Sequence, residues 1–292
     1  MTQKPKFGTF WAGPRLSALE VACLSSFARK GYEVELYSYD KIENVPADVA
    51  VRDAGDVLSS EFLNHFKING KVSYSHFSDL FRYNMFLKTQ NIWIDTDLFL
   101  TRAFDFPLDG RVLAKESPSV LCGAIMRLPS NDPHLPVLIS ETEAIATGNF
   151  RWGATGPKLL TKRLDKAAID NAYGPEIFFP ISYTDFWKTL LPEYAEECRQ
   201  QTQKCYTLHL WNNIVDRLGY WKDYLPPEGS YLHAQIEQAG LAGEFKGTYP
   251  RKIMSAMVEN WLLRKSGRDL GIKTIVKQIV PSVGRTIKHY SS

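Results

Sequence analysis

Two aspartates, Asp95 and Asp97, lie inside the apolar run 92–100. A strand over this run would project both side chains from one face, with their Cα atoms about 7 Å apart. Two carboxylates on an apolar strand are costly to bury without a counter-charge, so they either reach solvent or share a cation. Mg²⁺ and Mn²⁺ take carboxylates together with water and phosphate oxygens. The pair therefore predicts a Mn²⁺ or Mg²⁺ site, and the alternative is a turn in which one aspartate caps the backbone.

A carboxylate and a guanidinium precede this run by one helix. Apolar spacing predicts a helix over 76–88, on which Asp79 and Arg82 lie one turn apart on the same face. Such a pair can hold vicinal hydroxyl groups, because the carboxylate accepts hydrogen bonds and the guanidinium donates them. The alternative is a salt bridge on an exposed helix surface, which stabilises by about 0.3–0.5 kcal/mol.

A histidine late in the chain is a further candidate ligand. His209 and Trp211 lie at i and i+2 in a strand predicted over 206–211, so their side chains would share one face. A single histidine either binds a ligand or packs as a bystander, and the sequence leaves both open.

Strands and helices alternate along the first hundred residues. Strand-like runs at 7–11 and 33–37 flank a helical run at 16–27, which predicts a β-α-β unit. The parallel strands of such a unit end at one edge of a sheet, where open α/β proteins bind ligands. Trp11 and Asp40 follow these two strands and should lie at that edge. Further strands are predicted over 48–51, 111–114 and 121–127, and further helices over 57–66, 135–146 and 158–168.

The motifs around these residues resemble those of a known group of enzymes. S-D-L-F-R-Y at 78–83 and W-I-D-T-D at 93–97 resemble the S-D-x-x-R-Y and Y-x-D-x-D signature of D-x-D glycosyltransferases, namely family 32 and the α-1,4-galactosyltransferase-like group, including capsular polysaccharide enzymes. Four shorter segments also resemble that group: F-W-A-G at 10–13, Y-D at 39–40, G-A-T-G-P at 153–157 and H-L-W-N at 209–212. The resemblance covers about residues 7–215 in the right order. Gln90 and Asn91 stand where the group usually has two glycines, and the stretch from Asp97 to Gly153 matches nothing specific, which leaves the donor sugar open.

The resemblance implies a fold and a set of roles. The fold is α/β of the GT-A type, around a mostly parallel sheet. Phe10 and Trp11 would form the nucleotide site with Asp40, the indole stacking on the base. Asp79, Arg82 and Asp95 would be catalytic, the first two by holding the hydroxyls of the donor sugar. Asp95, Asp97 and His209 would bind the metal, Asp95 through water.

The implied function is metal-dependent transfer of a hexose from a nucleotide sugar, UDP-linked and with retention, to a saccharide or glycolipid acceptor in surface polysaccharide synthesis. The alternative is a non-catalytic protein that binds nucleotide sugars or sugars. A glycoside hydrolase is less favoured, because the two carboxyl groups of such enzymes flank the scissile bond, whereas two carboxylates on one strand face approach from one side.

Composition excludes several other classes. The chain has 292 residues, 44% of them hydrophobic and 23% charged, which is typical of a globular protein. It contains no apolar stretch of about 18 residues and no apolar leader after its first lysines, which predicts a cytoplasmic protein. The four scattered cysteines predict reduced thiols. No basic stripe with interleaved aromatic residues lies within the domain, so no nucleic-acid partner is expected.

The net charge of +3 is the sum of two unlike parts. We expect residues 1–250 to form one glycosyltransferase domain and 251–292 to form basic amphipathic helices, since the latter segment holds nine basic and two acidic residues. Such helices bind anionic lipid surfaces, which predicts peripheral contact with the inner face of the membrane. The alternative is a helix that closes the core.

Overall fold

A six-stranded sheet forms the centre of the protein, in a computed structural model that describes residues 4–68, 70–146 and 153–266. Its strand order is β3-β2-β1-β6-β9-β8. The strands are β1 (Lys6–Phe10), β2 (Glu33–Ser38), β3 (Val49–Asp53), β6 (Ile92–Ile94), β8 (Val112–Ser117) and β9 (Val120–Arg127). Pairings among β3, β2, β1 and β6 are parallel, and β9 is antiparallel to β6 and β8. The predicted α/β class with a mostly parallel sheet is confirmed.

Four short strands lie outside this sheet. They are β4 (Lys67–Ile68) with β5 (Lys71–Val72), and β7 (Leu98–Leu100) with β10 (Thr207–His209). Both pairs are antiparallel.

Helices cover the sheet and fill the second half of the chain. They are α1 (Ala18–Ala28), α2 (Tyr74–Lys88), α3 (Leu135–Ala146), α4 (Pro157–Arg163), α5 (Lys166–Asp170), α6 (Pro175–Phe178), α7 (Ala195–Gln201), α8 (Asn212–Leu218), α9 (Tyr231–Gln238) and α10 (Arg251–Lys265). Short 3₁₀ turns occupy Ala54–Asp56, Ser60–His65, Phe186–Leu190, Pro192–Tyr194 and Ala242–Glu244.

The helix α1 is buried on all sides because it lies between two apolar cores. Leu24 and Phe27 pack with the side chains of β1 and β2. Leu19 and Ala22 pack with residues of α7 to α10 in a second core. Helix α2 contributes to a third core, together with Trp93 of β6 and residues of α3 and α4. The sheet therefore carries α1 and the C-terminal helices on one face and α2 with α3 on the other.

The parallel strands bring three loops to one edge of the sheet. The register pairs Phe10 of β1 with Tyr37 of β2 and Gly8 of β1 with Trp93 of β6. Trp11, Asp40 and Asp95 follow the carboxyl ends of β1, β2 and β6, so all three lie toward this edge.

The run 92–100 does not form one strand, and the alternative of a turn at the aspartates applies. The chain leaves the sheet after Ile94 and turns at Asp95, Thr96 and Asp97, and the Leu98 N–H donates to the Asp95 carbonyl over 3.1 Å. The two aspartates therefore do not alternate along a pleated strand, and their proximity comes from the turn. The apolar residues on either side are buried in different sheets, which an apolar pattern alone does not reveal.

Other predicted boundaries also differ. The helix expected over 57–66 is a 3₁₀ turn over Ser60–His65. The helix expected over 158–168 is interrupted at Leu164, where Asp165 caps α5 by accepting a 2.7 Å hydrogen bond from the Ala168 N–H. Aspartate is among the strongest N-cap residues, so it starts a new helix here. The strand expected over 206–211 ends at His209, and Trp211 takes a left-handed conformation with φ 51°.

The first part of the predicted C-terminal segment packs on the domain. Met254, Val258 and Trp261 of α10 are buried in the same core as Leu19 and Ala22. Residues 267–292 lie outside the described residues, so the membrane-binding helices expected there stay a prediction. Within the described ranges, no helix combines the length and the apolar character needed to cross a membrane.

Candidate active site

Asp95, Asp97 and His209 come together at the carboxyl edge of the sheet. Each offers one ligand atom, and these atoms lie within 4.8 Å of one another. Asp97 and His209 are buried, and the Nε2 atom of His209 lies 3.3 Å from Oδ1 of Asp97. The three residues predicted as metal ligands are thus brought into one cluster.

Pairing of β7 with β10 places the histidine. The register opposes His209 to Leu98, the residue after Asp97. Two backbone N–H groups then fasten Asp97: that of Leu210 donates to its carbonyl over 2.9 Å, and that of Asn212 donates to Oδ2 over 2.7 Å. One carboxylate oxygen of Asp97 is thereby held by the backbone, while the other faces His209.

Charge attraction dominates the buried pair of Asp97 and His209. Burial by itself would raise the pKa of Asp97 and lower the pKa of His209. The attraction and hydrogen bond between them instead hold the pKa of Asp97 below its usual value and that of His209 well above it. The pairing thus favours the ionised carboxylate and the protonated imidazole, and a metal that takes the imidazole nitrogen competes with that proton.

Arg82 joins the carboxylates of Asp79 and Asp95. Its Nη2 atom lies 3.4 Å from Oδ1 of Asp79 and 3.1 Å from Oδ1 of Asp95. The guanidinium also lies over the Trp93 ring, 4.8 Å from its centroid, and the Trp93 indole N–H donates to Oδ1 of Asp95 over 2.6 Å. Because the side chains of Arg82 and Asp79 are only 6% and 10% exposed, the surface salt bridge considered from the sequence is excluded.

Asp79 is held from a second direction by the loop before α4. The Thr155 hydroxyl donates to its Oδ2 over 2.6 Å. Burial raises the pKa of Asp79, and this effect exceeds the lowering by Arg82 and by the Thr155 hydrogen bond. A sugar hydroxyl that donated to this carboxylate would therefore stabilise its ionised form.

Two glycines leave room for these side chains. A Cβ atom on Gly123 would lie 1.8 Å from Nη1 of Arg82, and one on Gly156 would lie 3.0 Å from both carboxylate oxygens of Asp79. Gly156 belongs to a motif singled out in the sequence, whereas Gly123 belongs to no such motif. The need for glycine at position 123 arises from close packing between β9 and α2, and no local pattern encodes it.

The residues predicted to bind the nucleotide differ in their surroundings. Trp11 is partly buried and follows β1, and Asp40 is exposed after β2. Phe10 is buried, with its ring 4.8 Å from that of Phe81 and 5.1 Å from that of Phe77. This environment favours a packing role for Phe10, and the contacts of all three residues with a nucleotide stay predictions.

Several polar atoms of this region are buried without a hydrogen-bond partner. Among the described residues they include Nε1 of Trp11 and Nε of Arg82. Buried polar atoms are normally satisfied, so such groups point to a ligand that completes them.

The cluster fits a divalent cation by its donor set. Two carboxylates and one imidazole provide oxygen and nitrogen ligands. Asp79, Asp95 and Asp97 are three carboxylates, and only Arg82 and His209 pair with them in this cluster as the structure describes it. Oxygen ligands suit Mn²⁺ and Mg²⁺, and a nitrogen ligand favours the transition metal of the two.

Three polar side chains near the cluster were not predicted from the sequence. Glu116 on β8 interacts with the charge of His209, and burial raises its pKa. Glu20 and Lys222 both contact the side chain of Asn212, and they form an ion pair with each other over 2.7 Å. A signal existed for Glu20, because it is the one acidic residue within the otherwise apolar run 18–24.

Comparison with known proteins supports the resemblance to glycosyltransferases. The chain is 28% identical over 147 residues to lactosylceramide 4-alpha-galactosyltransferase of Rattus norvegicus and 26% identical over 148 residues to that of Mus musculus. Each match covers 46% of this chain and 40% of the relative, so the chain spans less than half the length of the curated proteins that it matches.

No protein-family model matches the chain. A solved structure named PaToxG glycosyltransferase covers 83% of this chain and 87% of its own, at 15% sequence identity and a TM-score of 0.39. The fold assignment made above depends on the strands and helices themselves.

Proposed function

We propose that this chain is a metal-dependent glycosyltransferase of the GT-A type, which moves a hexose from a UDP-sugar to a saccharide or glycolipid acceptor. The observation that carries the proposal is the convergence of two clusters on Asp95. On one side Asp95 meets Asp97 and His209 within 4.8 Å, and on the other it meets Arg82 over 3.1 Å. The residues that would bind the metal and those that would bind sugar hydroxyls thus lie side by side, at the sheet edge where open α/β proteins bind ligands.

Asp95, Asp97 and His209 would hold Mn²⁺, with Mg²⁺ as the other candidate. When bound, the ion neutralises negative charge on the diphosphate that leaves the sugar. Asp97 suits this role because its ionised form is already favoured in the ion-free protein.

Arg82 and Asp79 would hold the donor sugar. The guanidinium has donors left for hydroxyl oxygens, since Nε is without a partner among the described residues. Its charge also stabilises negative charge that develops nearby in the transition state. Trp11 would stack on the base, and Asp40 would lie near the base or ribose, as the resemblance implies.

A glycosidase that used Asp97 as its acid is disfavoured by the electrostatics. The general acid of a glycosidase needs a raised pKa, so that it is protonated before it acts. The pKa of Asp97 is instead lowered. Asp97 therefore suits a metal ligand better than a proton donor.

The proposed stereochemical course is retention by front-face attack of the acceptor hydroxyl, in keeping with the resemblance. The acceptor oxygen would form its bond to the anomeric carbon on the face from which the nucleoside diphosphate departs, and its proton would pass to the departing phosphate. NMR of the product tests this, because a β-linkage formed from an α-linked donor contradicts it.

The direct test is a panel of nucleotide sugars, measured for binding and for transfer or hydrolysis with and without Mn²⁺. We expect at least one UDP-sugar to bind and react only when Mn²⁺ is present. Asp97→Asn keeps the shape of the side chain and should abolish this Mn²⁺-dependent binding and reaction. Glu33→Gln is the matched control, since Glu33 lies at the amino end of β2 and its side chain is 67% exposed.

Two outcomes would contradict the proposal. Mn²⁺-dependent binding without any transfer or hydrolysis would identify a non-catalytic nucleotide-sugar-binding protein. Equal activity of Asp97→Asn and the unchanged protein would exclude Asp97 from the metal site.

A further inference from the structure

Glu20 is a carboxylate in the interior of the protein, on the helix between the two cores. It is 1% exposed and accepts four hydrogen bonds. Its Oε1 atom accepts from Nδ2 of Asn212 over 3.0 Å and from Nζ of Lys222 over 2.7 Å. Its Oε2 atom accepts from the backbone N–H of Ser17 over 3.0 Å and from the Ser17 hydroxyl. A carboxylate in this buried position is tolerated because four donor groups satisfy its two oxygens.

Both donors to Oε1 connect Glu20 to the candidate metal site through Asn212. Asn212 is fixed through its side chain by Glu20, and its backbone N–H donates to Oδ2 of Asp97 over 2.7 Å. Lys222 lies 3.5 Å from the side-chain oxygen of the same asparagine. Asn212 thus connects α1 and the Lys222 loop to one oxygen of Asp97.

The backbone next to Asn212 needs such support. Among the described residues, Trp211 is the one non-glycine residue with positive φ, at 51°. A left-handed conformation is unfavourable for a bulky residue, because its Cβ atom comes too close to the following carbonyl oxygen. The hydrogen bonds from Leu210 and Asn212 to Asp97 flank Trp211, so the strained residue and the carboxylate orientation depend on each other.

We propose that Glu20 is a positioning residue for the metal site: through Asn212 it sets the orientation of the Asp97 carboxylate. The metal role of Asp97 rests on the proposed function, whereas the positioning of Asn212 does not. Hydrogen-bonded partners of metal-ligating carboxylates tune metal affinity, and their loss costs about 10–100-fold in affinity or activity.

A purely structural role for Glu20 is the competing explanation. Ser17 and Glu20 form a capping box at the start of α1, and the ion pair with Lys222 fixes a loop to that helix. Both would stabilise the fold without influencing Asp97. The two roles differ in where the effect of a substitution appears.

Asp223 provides a matched control. It accepts a 3.0 Å hydrogen bond from the Ala18 N–H and pairs with Lys246, so it also holds the start of α1. No hydrogen bond or ion pair links it to Asn212 among the described residues.

The experiment compares Mn²⁺ affinity, measured by EPR on the full chain, in five proteins: the unchanged protein, Glu20→Gln, Asn212→Ala, the double variant and Asp223→Asn. We expect Glu20→Gln and Asn212→Ala each to weaken Mn²⁺ binding about tenfold. The double variant should bind no more weakly than Asn212→Ala, since Glu20 acts through Asn212. Asp223→Asn should stay within about twofold of the unchanged protein.

Hydrogen exchange of the Asn212 amide in the same ion-free proteins, followed by NMR, gives an independent readout. Glu20→Gln should accelerate this exchange while the amides in the middle of α1 keep their protection. If Glu20→Gln does not fold, Asn212→Ala serves instead: it removes the same Glu20–Asn212 hydrogen bond from the other side and should accelerate exchange of the amide at position 212.

The outcomes separate the two proposals. Unchanged Asn212 exchange, or multiplicative effects in the double variant, would overturn the positioning role. If the unchanged protein binds no Mn²⁺ and Glu20→Gln still accelerates Asn212 exchange, the metal part of the proposed function fails while the positioning of Asn212 stands.

Discussion

The energetic contribution of Arg82 depends on how deeply its ion pairs are buried. On a helix surface its pairing with Asp79 would contribute a few tenths of a kcal/mol, about 0.3–0.5. In the protein the pair is buried and shared with Asp95. Removing one partner of a buried ion pair costs about 3–5 kcal/mol, because the other charge stays desolvated. Substitutions at any of the three residues will therefore affect stability as well as chemistry, and a more informative variant leaves all three in place.

Gly123→Ala is such a variant. The new methyl group would lie 1.8 Å from Nη1 of Arg82 and must push the guanidinium away from Asp79 and Asp95. We expect UDP-sugar transfer to fall about 10²–10³-fold, as when a transition-state donor is removed, and stability to fall by about 1–3 kcal/mol from overpacking. Transfer rates and thermal unfolding of the variant check both effects.

The control for this prediction is Gly243→Ala, where an added Cβ meets no atom within 4 Å. Its transfer rate and unfolding temperature should stay close to those of the unchanged protein. Full activity of Gly123→Ala would show that the position of Arg82 is not critical.

At the residue scale, the sequence singled out the polar side chains that cluster, but it did not single out the residues packed around them. Asp79, Arg82, Asp95, Asp97 and His209 are polar side chains at recognisable spacings, and all five are in one chain of contacts. Gly123, Glu116 and Lys222 support them through contacts between segments far apart in sequence. Such contacts depend on the packing of whole elements, which the spacing of residues in one segment does not encode.

Elements were predictable where their residues interact locally and less so where the partner is distant. The helix expected over 135–146 matches α3 at both ends, because its apolar spacing and its flanking residues are local. The run 92–100 was misjudged because Leu98–Leu100 pairs with Thr207–His209, more than a hundred residues away. The apolar residues of the run belong to strands of two different sheets. The turn between these strands brings Asp95 and Asp97 close to each other.

In the loop between β9 and α3, a buried ion pair should make the stability of the protein depend on pH. Asp132 is buried there and pairs with Nε of Arg111, which precedes β8. Burial alone would raise its pKa, but hydrogen bonds from Arg111 and from the backbone and ring of His134 hold the pKa of Asp132 below its usual value.

A depressed carboxyl pKa stabilises the folded state above the unfolded-state pKa of about 3.9 and loses this effect as the pH falls through the folded pKa. Asp132→Asn should therefore lower the free energy of unfolding by about 1–3 kcal/mol at pH 7. The difference from the unchanged protein should shrink below about pH 4. Urea unfolding at several pH values measures this.

Asp165→Asn is the control in the same cluster, since Asp165 is 52% exposed and asparagine can still cap α5. Its effect on the free energy of unfolding should be small. If the difference in the free energy of unfolding between Asp132→Asn and the unchanged protein stayed constant across the acidic range, the lowered pKa of Asp132 would be contradicted.

Charge is distributed unevenly over the whole molecule. The basic segment 251–292 begins with α10, whose buried face belongs to the core, so its first part closes the fold as one of the two sequence alternatives expected. The membrane-binding proposal accordingly concerns residues 267–292, which hold five basic residues and one acidic residue.

Deletion of 267–292 should weaken co-sedimentation with vesicles that contain anionic lipid. Each well-placed cation near such a surface contributes about 1 kcal/mol, so several together give a large and salt-sensitive loss. Vesicles of neutral lipid serve as the control, and they should bind both proteins weakly. Equal co-sedimentation of the full chain and the truncated chain would exclude the membrane role of this segment.

The burial of α1 between the sheet and the C-terminal helices also has a consequence for synthesis on the ribosome. The start of α1 is held by the Lys222 carbonyl and the Asp223 carboxylate, at sequence separations of about two hundred residues. At about 5–20 residues per second, these partners emerge many seconds after α1 itself. During that interval the outer apolar face of α1 has no native cover. We therefore expect nascent chains that end before residue 200 to expose α1 to proteases and chaperones, and protection to arise when the Lys222 loop has left the exit tunnel.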